Sequence, residues 1–176
     1  MLSAVYTHKF SIWRNLASLL KDVARPETVS SGHTFYLGEV EVAHLYNYLS
    51  GPSQIEVDGE HFLLKQQKRV ILFTQYYALE RDGRTLATAK ETQLFFLSNS
   101  RISYAVGRHS RELTLKNSIW NLSGRQYLLL DGPDRVGVIE HDSNFGAEID
   151  LPPEIPLAVQ IFIYKLAFIM WQRGIK

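Results

Sequence analysis

The chain contains no cysteine. Disulfides, thiolate metal sites, cysteine nucleophiles and S-palmitoylation are excluded together, and the absence fits a cytoplasmic protein. Glycine-rich phosphate loops of dinucleotide or P-loop spacing are missing, as is the G-x-S-x-G elbow of a serine hydrolase. Six histidines occur, at His8, His33, His44, His61, His109 and His141, and none stands at zinc-ligand spacing beside a third ligand. His141-Asp142 is a lone neighbour pair. The expectation is therefore a protein with no catalytic set, no metal and no cofactor, that is, not an enzyme. An excess of either charge is also lacking. Lys and Arg number 19 against 18 Asp and Glu, a net charge of +1, so no global field draws the chain to nucleic acid. The N-terminal "MLSAVYTHKFSIW" has no long apolar core behind basic residues and does not read as a signal peptide.

What is present is globular. With 176 residues, 45% of them hydrophobic, the chain is long enough for one domain around a single core, and residues 1–176 are expected to form one. Its middle alternates in the manner of β-strands. "SQIEVDGEHFLLKQ" (53–66) sets Asp58-Gly59 between two alternating runs, and residues 69–97 repeat the device with Asp82-Gly83. Further strand-like runs cover 101–107, 111–120, 125–131 and 135–142, the last two joined through Asp131-Gly132-Pro133-Asp134. Turn signals every 8–12 residues or so favour an antiparallel meander or barrel over βαβ units. Nearer the N-terminus, 11–24 reads as a short peripheral amphipathic helix, 34–42 as a strand, and 43–49 as either.

The terminal segment "PLAVQIFIYKLAFIMWQRG" (156–174) is apolar on nearly every side, with Lys165 in its middle. Asp150, Glu154 and the prolines before it, and Arg173-Gly174 at its far end, punctuate a helix over 155–173. A helix greasy all round is wrapped by protein or by lipid. A spanning helix needs about 20 apolar residues, and a central lysine costs about 2.5–3.5 kcal/mol on insertion, so no transmembrane span is expected. Such a helix runs about 27 Å and is about 10–12 Å across. Strands of about 6–8 residues match that length, and a barrel of about eleven strands admits a central helix where eight would not. The expected fold is mainly β with α: a closed antiparallel β-barrel of about twelve strands around a buried hydrophobic C-terminal helix. Lys165 would then reach a mouth or gap, or pair with an internal acid.

The order of DG hairpins followed by "RVGVIEHDSNFGAEIDLPPEIPLAVQIFIYKLAFIMW" (135–171) resembles the tubby C-terminal-like superfamily, in its LURP-one-related and phospholipid-scramblase-like branches. The resemblance covers residues 30–172, most clearly after Arg69, and includes "GRTLATAKE" (83–91). It implies a twelve-stranded barrel around a hydrophobic helix. It also implies a link to membrane lipid, since tubby domains proper bind phosphoinositides through a basic pocket. The palmitoylation segment, the proline-rich N-terminal region and the calcium-loop spacing of scramblases are absent, and no family site residue maps onto this chain.

Charge along the chain is uneven. Residues 101–125 carry Arg101, Arg108, Arg111, Lys116 and Arg125 against Glu112 alone, whereas 126–154 carry seven acids against Arg135. Two arrangements follow. The basic residues share one face and attract phospholipid headgroups at the membrane periphery, each contributing about 1 kcal/mol. Alternatively, they pair across strands with the acidic stretch. The cluster "LKQQKR" (64–69) reads as a solubilised strand end. The alternative function is a protein-interaction or scaffold domain, homodimeric through Trp13 and the apolar face around it.

Overall fold

The computed structural model describes residues 1–7, 29–48, 51–71, 74–94, 97–107, 109–117, 126–142 and 146–174. The helix expected over 11–24, Trp13 included, lies outside them. Twelve strands and one helix make up the described chain. The first six strands are β1 (Leu2–Thr7), β2 (Val29–Leu37), β3 (Val40–Tyr48), β4 (Ser53–Val57), β5 (Glu60–Ile71) and β6 (Thr74–Arg81). The second six are β7 (Arg84–Leu94), β8 (Leu97–Val106), β9 (His109–Asn117), β10 (Gln126–Asp131), β11 (Asp134–His141) and β12 (Ala147–Asp150), followed by α1 (Leu157–Gly174). Each strand pairs antiparallel with its neighbours in sequence, and β1 pairs with β12, closing the barrel.

Local chemistry sets the meander. Asp58 and Gly59 have φ of 50° and 76°, and Asp82 and Gly83 of 51° and 75°. Two consecutive positive φ values are what a two-residue I′ turn demands, and Asp-Gly supplies them at least strain. The strand expected over 34–42 is instead broken by a turn at Gly38-Glu39, with φ of 65° at Gly38, and the ambiguous 43–49 run belongs to β3. β1, which completes the wall with β12, stands where no strand was expected.

The helix runs inside the barrel. Ile161 to Phe168 are eight consecutive buried residues, more than two turns, so every side of α1 is covered. It contacts β4, β8 and β11, which come from well-separated parts of the wall. Phe162, Ile163, Tyr164 and Ala167 meet inward residues such as Phe35, Leu45, Ile55, Ile102 and Ile139, all fully buried. The helix begins two residues later than expected, after Pro156, whose carbonyl accepts from Val159 N at 2.8 Å and Gln160 N at 3.0 Å. Gly137 on β11 lets the chain leaving β12 pass closely: a Cβ there would lie 2.7 Å from the Asp150 carbonyl. No described helix is long and apolar enough to cross a membrane.

Candidate functional site

The interior holds a few ionisable groups, and their partners fix them in place. Lys165 is buried and donates from Nζ to Asn47 Oδ1 at 2.8 Å, with Nζ 5.4 Å from the Phe168 ring centroid. Of the two arrangements expected for Lys165, pairing with an internal acid does not occur here: an amide oxygen receives it. Burial lowers its pKa from 10.5 to about 8. His33 and His141 are buried nearby. Burial, with Lys165 and His141 adding charge repulsion, lowers His33 to about 3; burial lowers His141 to about 4. The His141 ring stacks on Trp171 at 4.8 Å with 6° between planes. Asp142 accepts from Gly146 N at 2.9 Å, and its charge opposes but does not outweigh the effect of burial on His141. No group of three potential metal ligands occurs among the described residues. At the end of α1, Arg173 binds both carboxylate oxygens of buried Glu91 at 2.8 Å and also Gln75 and Tyr77. These contacts hold the helix in the wall.

The outer wall offers a different chemistry. Alternation turns Ala87, Ala89 and Glu91 of β7, Ser100, Ile102 and Tyr104 of β8, and Leu113 and Leu115 of β9 inward. Their neighbours form a polar grid outside. Thr92, Asn99 and Lys116 stand in one row, Lys90, Arg101 and Thr114 in the next, and Thr88, Ser103 and Glu112 in the third. Lys90 and Arg101 are thus direct cross-strand partners of like charge, an arrangement that destabilises a sheet. Lys116 lies on the diagonal from Arg101, about 7–8 Å away. None of the three cations is within ion-pair distance of a described carboxylate. Lys90 Nζ sits 6.0 Å from the Tyr76 ring centroid. A surface depression of about 210 Å³ is lined there by Tyr76, Thr88, Lys90, Arg101, Ser103 and Glu112, among others.

Of the residues singled out in the sequence, Arg101 and Lys116 meet on this grid. Arg111 does not. Its parity on β9 is that of Leu113 and Leu115, and it lies at the hairpin end of the barrel. There Asp131 Oδ2 accepts from it at 2.7 and 3.1 Å, and Glu154 lies at 3.5 Å. The cross-strand pairing with the acidic stretch therefore occurs at Arg111 alone among the described candidates. Arg108 and Arg125 lie outside the described residues. The outward acids Glu140 and Glu148 face each other across β11 and β12, and Leu128 on β10 stands between Lys116 and that wall. Lys65 of the other basic cluster pairs with Glu80 at 2.6 Å.

Lys90 was not singled out from sequence. The signal was the join between β7 and β8: with Leu94 opposite Leu97, counting back four residues on one strand and forward four on the other sets Lys90 opposite Arg101. Reading 69–97 as one hairpin concealed it. Comparison with protein-family models, curated proteins and solved structures finds no match.

Proposed function

We propose that this barrel is a non-enzymatic, tubby-like domain that binds anionic membrane lipid through the outer face of β7, β8 and β9, at the cytoplasmic periphery of a membrane. The observation that carries the reading is the cross-strand pairing of Lys90 with Arg101, unrelieved by a described carboxylate and extended by Lys116. A like-charged pair costs stability when the face is empty and becomes favourable when a phosphate lies between the two side chains. Hydroxyls of Thr88, Ser103 and Thr114 in the same grid add neutral donors for phosphate oxygens. At about 1 kcal/mol for each cation near an anionic surface, the three supply about 3 kcal/mol, a weak and reversible attachment. Kinship with the tubby-like superfamily is part of the same proposal, supported by the barrel threaded by a C-terminal helix.

Vesicle sedimentation at low salt tests it. Vesicles containing phosphatidylserine or a phosphoinositide should carry down more protein than neutral phosphatidylcholine vesicles, and added salt should release it. Equal sedimentation with neutral and anionic vesicles overturns the proposal.

A further inference from the structure

The basic grid contains one residue that a plain phosphate site would not want. Glu112 stands in the same patch as the cations, on the other diagonal from Arg101, and lines the same depression as Lys90 and Arg101. It is exposed and makes no ion pair with a described cation, Arg101 included. Its row neighbours on β8 and β7 are the hydroxyl residues Ser103 and Thr88. A second depression of about 190 Å³ shares Thr88 and Ser103 with the first and reaches Ser110, so the surface beside Glu112's row neighbours has room for more than a bare phosphate.

The charge inventory is therefore three cations and one carboxylate, laid out in order across β7, β8 and β9. Its complement is a ligand with two anionic groups and one ammonium. A polyphosphorylated inositol headgroup has no cation to offer Glu112 and would be repelled by it. A glycerol headgroup would leave the carboxylate without a partner beside the bound phosphate. Serine esterified to a phosphodiester carries a phosphate and a carboxylate to share among the three cations and a primary ammonium for the acid.

Resting on the proposed anion-binding role of this face, we infer that the depression on β7–β9 is a headgroup site selective for phosphatidylserine, with Glu112 as its specificity determinant. The phosphodiester lies between Lys90 and Arg101. The serine ammonium is turned toward Glu112 and the Ser103 hydroxyl, and the serine carboxylate meets the remaining donors of Arg101 and Lys116. Tyr76, beside Lys90, walls the depression on the β6 side.

The test compares phosphatidylcholine vesicles doped at equal mole fraction with phosphatidylserine or phosphatidylglycerol, two lipids of the same net charge. The full chain should bind the phosphatidylserine vesicles about fivefold more tightly, the worth of one exposed ammonium–carboxylate contact of about 1 kcal/mol. Glu112→Gln should bring the two affinities together without weakening binding to phosphatidylglycerol. Equal affinity of the unmodified chain for the two lipids, or a preference that survives Glu112→Gln, overturns the inference and leaves the anion-binding role standing. Failure to bind either vesicle overturns both.

Discussion

Arg173, in the last turn of α1, places one guanidinium nitrogen 2.8 Å from each carboxylate oxygen of Glu91 on β7. Glu91 is 2% exposed and also accepts from Tyr77 Oη at 2.9 Å. The contact fastens the last turn of a helix held elsewhere by apolar packing and by the Lys165–Asn47 hydrogen bond. Tyr77 titrates well above its ordinary range, chiefly through burial and then through Glu91. Arg173→Ala removes a bidentate countercharge from a buried carboxylate and should cost about 3 kcal/mol in a urea unfolding series. Glu91→Gln, which keeps an acceptor for Tyr77 and Arg173, should cost less. Equal stability of Arg173→Ala and the unmodified protein would contradict this role.

Lys165 is held charged at neutral pH in surroundings that disfavour the charge, its pKa lowered to about 8 by burial. The unfolded chain binds that proton up to its ordinary pKa of about 10.5. Stability therefore rises with pH from about 8, and measurements below about pH 9.5 avoid ionisation of unfolded tyrosines. Lys165→Met should stabilise the barrel by about 2 kcal/mol at pH 7 and abolish that rise. Asn47 Oδ1 keeps a donor in Ser53 Oγ at 3.1 Å, so the substitution does not strand it.

His33 and His141 act in the acid direction. Both are neutral in the fold, with pKa lowered to about 3 and about 4, whereas the unfolded chain protonates them near 6.5. Their full contribution is present above pH 6.5 and is lost as pH falls toward 4. Between pH 6.5 and 5, above most carboxylate titrations, stability should drop at a slope approaching about 1.4 kcal/mol per pH unit for each histidine. His141→Phe, which preserves a ring against Trp171, should halve that slope in denaturant midpoints measured across the window.

A face kept for ligand at the expense of the sheet should be improvable as a sheet. Lys90→Thr removes one of two like charges directly opposed across β7 and β8 and raises β-propensity. It should raise stability by about 0.5 kcal/mol while weakening attachment to anionic vesicles. Loss of stability would mean that the pair is already neutralised within the fold.

The barrel was legible because its signals are local or total. Asp58-Gly59 and Asp82-Gly83 mark their hairpins by backbone requirement alone, and the apolar circumference of residues 157–171 can be hidden only by a wall about as long as the helix. β1 was not legible, and β12 only through the family resemblance over 135–171. Leu2–Thr7 and Ala147–Asp150 are short, and each is fixed by pairing on both sides, β1 with β2 and β12, and β12 with β11 and β1. The face was half legible. Arg101 and Lys116 could be named, but a one-residue change of parity moves Arg111 from the face to a pairing with Asp131, and Lys90 joins only through register. Single-residue parity is the finest feature of a strand and the one least fixed by composition.

Two charge-removing double variants, compared on anionic vesicles, test the central claim most directly. Lys90→Gln/Arg101→Gln removes the opposed pair, and Arg84→Gln/Arg135→Gln removes the same charge from exposed hairpin ends. The first should lose at least about tenfold in vesicle affinity, an amount of about 1.4 kcal/mol, and the second less than about twofold. An equal loss in both variants would reduce the binding to net charge and contradict a site on β7–β9.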